Sequence, residues 1–134
     1  MALLVGAFLA LAVGAFLGTG VGLDRDRAFY PTVAAVVASY YVLFAAMADS
    51  THALLVETAI AGVFLAVAMA GFRGSLWLAV AALAGHGVFD AVHGRLIVNP
   101  GVPVWWPAFC GAYDVVAAAY LAFLLLRPRQ GQGA

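Results

Sequence analysis

Five runs of apolar residues, separated by short polar breaks, organise the chain. They extend from Ala2 to Gly22, Ala28 to Ala48, Thr51 to Phe72, Leu76 to Gly94 and Pro107 to Arg127. Each approaches the roughly 20 residues, at about 1.5 Å rise apiece, that carry a helix across the hydrocarbon core of a bilayer. The breaks are Asp24-Arg25-Asp26-Arg27, Asp49-Ser50, Arg73-Gly74-Ser75 and the longer Arg95 to Trp106, with its Asn99-Pro100-Gly101 turn signal. Connections this short make successive helices antiparallel neighbours. The pattern therefore predicts an all-α integral membrane protein, a five-transmembrane-helix up-and-down bundle over residues 1–127, followed by a flexible polar tail over 128–134.

Composition points the same way. The 134 residues are 66% hydrophobic and 9% charged, and the mean hydropathy is +1.07. A soluble domain is about 25% charged and about half apolar. A water-soluble chain of this length could not hide so much apolar surface, so the lipid bilayer is the expected partner and solvent. The formal net charge is zero and no basic stretch marks a nucleic-acid site. The single cysteine, Cys110, excludes an intrachain disulfide. The first run lacks a basic segment ahead of it and has a full span's length, so it reads as a helix and not as a cleaved signal peptide. Its Gly6, Ala10, Gly14, Gly18 and Gly22 recur every four residues, a small-residue stripe that lets another helix approach closely, within the bundle or in a homodimer.

Charge gives the frame a direction. All six basic residues are arginine. Arg25, Arg27, Arg73, Arg127 and Arg129 fall on one side of a five-span arrangement and only Arg95 on the other. The positive-inside rule then puts the N-terminus outside and the C-terminus in the cytoplasm. Trp105 and Trp106 mark the outer interface, and Tyr30 and Trp77 sit at the inner aromatic belt.

Within this frame the ionisable residues gather in the outer half of the bilayer. The stretch GHGVFDAVHG, Gly85 to Gly94, holds two of the three histidines. At about 100° per residue, Asp90 lies about 40° from His86 and His93 about 20° the other way, so the three share one stripe over a rise of about 10 Å. An ionised group in hydrocarbon costs at least about 2.5 kcal/mol, so the stripe is expected to face the bundle interior or a wet cavity. Gly85, Gly87 and Gly94 leave room beside it for a helix, a ligand or water. Glu57 lies two turns into the third run and Asp114 two turns into the fifth. Asp49 and Ser50 stand where the third helix starts and read as caps. His52 is about 140° round from Glu57, so the two cannot both point squarely at one centre on a regular helix.

Three uses fit His-x3-Asp-x2-His with carboxylates nearby. Imidazole and carboxylate suit a divalent metal, Zn²⁺ or Fe²⁺, most easily shared by Asp90 and one histidine and completed by Glu57, His52 or Asp114. Carboxylates and histidines in a bundle can also exchange protons, as transport relays do. Or Asp90 pairs with a histidine or a backbone group and only holds helices together. Asp114 shares a face with Cys110, which is a soft ligand or a small buried hydrophobe. Ser39, Tyr40 and Tyr41 in the second run offer hydroxyls to a carboxylate.

The segments Gly85-His86-Gly87, Phe89-Asp90, His93, Trp106-Pro107, Phe109-Cys110 and Tyr113-Asp114 resemble a signature of small bacterial integral membrane proteins of unknown function. The likeness covers the C-terminal third. It implies that the fourth and fifth helices form a unit and that the chain resides in the bacterial inner (plasma) membrane, and it brings no activity with it. The inventory His52, His86, His93, Asp90 and Ser50 is also similar to that of membrane metallohydrolases of the alkaline ceramidase kind. Their order and spacing differ and they have seven spans, so the likeness is one of chemistry alone. Three histidines without an attachment motif argue against haem.

The sequence thus predicts a metal-dependent, hydrolase-like membrane enzyme acting on a lipid or other apolar substrate. Its metal ligands would be His86, Asp90, His93 and His52, and its catalytic groups Glu57 and Asp114. A proton-coupled transporter and an assembly subunit with a merely structural polar cluster are the alternatives.

Overall fold

The computed structural model describes residues 1–128, so the tail expected over 128–134 lies, all but its first residue, outside the described residues. Among the described residues the chain is helical throughout, with no strand. Helix α1 spans Ala2–Leu11 and continues unbroken into a π-helical stretch, Ala12–Gly20. Helices α2 (Phe29–Met47), α3 (Thr51–Arg73), α4 (Trp77–Leu96) and α5 (Trp106–Leu126) follow. Their ends lie within one or two residues of the apolar runs. A helix satisfies every backbone donor and acceptor inside its own segment, which is why long apolar runs take this form.

The connections are set by local chemistry. Gly22 ends the first rod at φ 93°, a left-handed position that suits a residue without a Cβ, and a single 3₁₀ turn, Leu23–Arg25, leads on to α2. Ser50 caps α3: its hydroxyl accepts the Ala53 N–H at 3.4 Å. Asp49 takes the left-handed turn before it, at φ 53°. Pro107 sits in the first turn of α5, where its missing N–H has no partner to lose. Arg27 donates to the carbonyls of Phe72 (3.3 Å), Gly71 (3.4 Å) and Gly74 (2.5 Å). It satisfies the carbonyls at the C-terminus of α3 and brings Arg25, Arg27 and Arg73 to one end of the bundle.

Helix α4 packs against α5 and α3, α1 against α5, and α2 against α3. The small-residue stripe seats the first rod inside the chain. Gly6 lies against the Phe109 carbonyl, Gly14 against the Tyr120 ring, and Gly18 against Phe29 and Tyr30. The buried apolar residues are mostly alanine, including Ala34, Ala45, Ala53, Ala79 and Ala117, as close helix approach in lipid requires. Large apolar side chains face outward, among them Leu4, Phe8, Phe16, Leu55 and Val63, while Glu57, His86, Asp90, His93, Asn99 and Asp114 are buried. Water-soluble folds bury their largest apolar side chains. This inversion belongs to a protein whose solvent is lipid.

Among the described residues four helices, Ala2–Gly20, α2, α3 and α5, are long and apolar enough to cross a membrane. Helix α4 matches them in length, with 20 residues. Its His86, Asp90, His93 and Arg95 keep it out of that apolar class, so the five runs are not equivalent.

Candidate functional site

The site forms where α4 and α5 cross. A Cβ on Gly87 would meet Val115 Cγ2 at 2.8 Å and the Gly111 carbonyl at 3.1 Å, and one on Gly111 would meet Asp90 Cβ at 3.2 Å. Two glycines thus let the backbones approach to a distance no other residue allows. At this crossing His86 and Asp90, one turn apart on α4, face Cys110 and Asp114, one turn apart on α5. All four are buried, none more than 2% exposed.

One donor atom from each of these four side chains lies within 4.8 Å of the others. His86 Nδ1 shares a hydrogen bond with Asp114 Oδ2 at 2.6 Å and stands 3.5 Å from Asp90 Oδ2. The Cys110 thiol donates to the same Asp114 oxygen at 3.9 Å. Asp90 Oδ2 and Asp114 Oδ1 are buried and have no hydrogen-bond partner among the described residues. Orphaned acceptors of this kind are rare inside proteins and call for a proton, a water or a cation. One imidazole, one thiol and two carboxylates, all close to one another, form a donor set that could hold a metal ion.

A second pair lies farther along α4. His93 Nε2 and Glu57 Oε1 are 2.7 Å apart. Asn99 donates from Nδ2 to the same Glu57 oxygen at 2.9 Å and to the Tyr41 carbonyl at 3.0 Å. Tyr41 joins the two pairs. Its ring stacks on His93 with centroids 3.9 Å apart, and its hydroxyl donates to Asp90 Oδ1 at 2.6 Å. Phe64 packs edge-on against His86, and Phe89 against His93, so both imidazoles have an aromatic ring for a neighbour as well as a carboxylate.

The stripe of His86, Asp90 and His93 faces the bundle interior, but its members divide. His86 and Asp90 turn to α5, whereas His93 turns to Glu57 on α3. Their separation of two turns explains this, since one centre cannot comfortably take both imidazoles. Asp114 joins the first group and Glu57 the second. His52 is exposed on the first turn of α3 and belongs to neither. With Glu57 facing inward, the offset of about 140° sends His52 outward.

Of the hydroxyls of Ser39, Tyr40 and Tyr41, only that of Tyr41 reaches a carboxylate. Ser39 bonds back to the Val36 carbonyl at 2.7 Å, and Tyr40 packs against Trp106. Gly87 is taken up by α5, whereas nothing approaches the Cβ position of Gly94. Cys110 and Asn99 are the residues that sequence reasoning undervalued. Cys110-x3-Asp114 repeats the spacing of His86-x3-Asp90, which was the available signal. Asn99 lies in a turn motif, and nothing local marks it as a partner for Glu57.

Cys110 also lines a cleft of about 670 Å³ that α1 and α2 flank and α5 floors. Cys110 therefore belongs both to the buried donor group and to the lining of this mostly apolar cleft. Compared with protein-family models, with curated proteins and with solved structures, the chain matches none.

Proposed function

We propose that the protein is a metal-dependent membrane enzyme of hydrolase type acting on a lipid or other apolar substrate. The observation that carries this reading is the convergence of His86, Asp90, Cys110 and Asp114 within 4.8 Å, with a carboxylate oxygen of each aspartate left without a partner. We further propose five spans, with the N-terminus outside and the C-terminus in the cytoplasm of a bacterium. The arginine distribution, the shared end of Arg27 and Arg73, the cover that α3 and α5 give to α4, and the resemblance of the C-terminal third support this.

A divalent ion in this group would supply Lewis-acid polarisation of an ester or amide carbonyl. The side chains divide the remaining work. Tyr41 holds Asp90 through Oδ1 and leaves Oδ2 turned to the centre. Asp114 Oδ1 is the acceptor free to take a proton from an attacking water, because Glu57 Oε1 is already engaged by His93 and Asn99. Phe64 packs edge-on against His86 and helps fix its ring.

Elemental analysis of purified, chelator-washed protein tests the reading. About one Zn or Fe per chain is expected. A metal-free protein that melts and acts as before, and takes up no ion on titration, rules it out.

One observation favours a second reading. Buried polar contacts join Glu57 to His93 on one side and Tyr41, Asp90, His86 and Asp114 on the other, with the His93–Tyr41 ring stack between them, a grouping of carboxylates and imidazoles that suits proton handling in a small carrier. Flux driven by a pH gradient in liposomes is its signature, and active enzyme without such flux excludes it.

A further inference from the structure

We propose that the cleft between α1 and α2 holds the hydrocarbon chain of an amphiphilic lipid whose head offers a hydrogen-bond acceptor to Trp106 Nε1. As the identity of the substrate this rests on the enzyme reading. As a lipid site it stands without it. Leu9 and Val13 form one wall, Val33 and Val37 the other, and Phe109 and Cys110 part of the floor. The volume, about 670 Å³, falls in the range of about 300–1,000 Å³ usual for small-molecule sites. From Ala28 to Tyr40 the cleft follows α2 for about 18 Å at 1.5 Å per residue. One leaflet offers about 15 Å of hydrocarbon depth, so the cleft accommodates an extended chain.

Its polar end is specific. Trp106 lines the cleft where α5 begins, and its indole N–H is buried without a partner. An indole nitrogen can only donate, so it calls for an acceptor such as an ester carbonyl, an amide carbonyl or a phosphate oxygen. The backbone carbonyls of a helix from a second copy are used internally and would not supply one. Cys110 stands about one turn beyond Trp106, about 6 Å along the axis at 1.5 Å per residue, and is both a lining residue and a member of the buried donor group. A lipid with its tail in the cleft and its head at Trp106 therefore brings its head-to-chain linkage beside that group.

Photolabelling decides the matter. The protein is reconstituted in phosphatidylcholine vesicles whose lipid carries a diazirine on one acyl chain, irradiated, digested and mapped. Label concentrated on the peptides around Leu9–Val13 and Val33–Val37, above that on the exposed α3 face at Leu55 and Val63, is expected. Val33→Trp fills the cleft and lowers this labelling about tenfold, equivalent to about 1.4 kcal/mol, with metal content unchanged. Trp106→Phe keeps an aromatic ring, removes the donor and lowers it as well.

Equal labelling of the cleft and the α3 face overturns the proposal, as do cleft labelling unmoved by Val33→Trp and cleft peptides cross-linked to a second copy. The wild-type map suffices if a variant fails to fold. Metal content read on the same sample separates the two ideas, since cleft labelling on a metal-free protein removes the enzyme reading and leaves the lipid site.

Discussion

His86 Nδ1 and Asp114 Oδ2 meet at 2.6 Å across the crossing of α4 and α5. Both residues are buried, and each carries a second tie on its own helix, His86 with Asp90 and Asp114 with Cys110. The contact is therefore the hinge of a four-residue group and not an isolated bridge. Removing one member leaves the others in a medium that penalises unpaired charge.

Asp114→Asn keeps the side-chain shape and removes the anion. Metal affinity, read by competition with a chromophoric chelator, is expected to fall by more than about 100-fold, beyond the range of about 10–100-fold for altered outer partners. His52→Ala alters an exposed residue and leaves affinity unchanged. Equal effects from the two variants would contradict the assignment of the donor set.

Gly87→Ala puts a methyl group into Val115 and the Gly111 carbonyl at the helix crossing. Overpacking of this kind destabilises by about 1–3 kcal/mol, and the shift parts His86 from Asp114. Thermal unfolding in detergent and metal content should both drop. Gly94→Ala, which meets nothing within 4 Å, is the matched control and should do neither.

Tyr41→Phe preserves the ring stacked on His93 and deletes the hydroxyl that donates to Asp90. Asp90 then has no partner for Oδ1, and a buried acceptor left unsatisfied costs about 1–3 kcal/mol. Stability of the metal-free form should fall by that amount and be partly recovered on metal loading. In the carrier reading the same change breaks the polar grouping, and gradient-driven flux stops while folding persists.

Arg27→Gln removes the charge that serves the last carbonyls of α3. A loss of about 0.5–2 kcal/mol is expected from the helix-end interaction and its hydrogen bonds. Labelling of engineered cysteines at the loops checks orientation independently. An inverted wild-type topology would remove the arginine argument altogether.

The helices were legible because an apolar run of about 20 residues has few alternatives in lipid. The inward stripe of α4 was legible for the same reason, since polar groups on one face must avoid hydrocarbon. What the one-dimensional pattern cannot carry is the rotation of one helix against another. That rotation decides that Asp114 meets His86 while Glu57 meets His93, and that His52 looks outward. The role of Asn99 was hidden for a related reason: it depends on how the long connection folds back over the end of α2.

The modest apolarity of α4 bears on how the protein is made. An aspartate within a spanning helix disfavours insertion, by up to about 2.5–3.5 kcal/mol at its centre and less toward its ends, and α4 carries two histidines besides. Helix α5 brings Asp114 and Cys110 to meet them. If the chain crosses five times, α4 is shielded from lipid by its pairing with α5, the polar face of each hidden by the other.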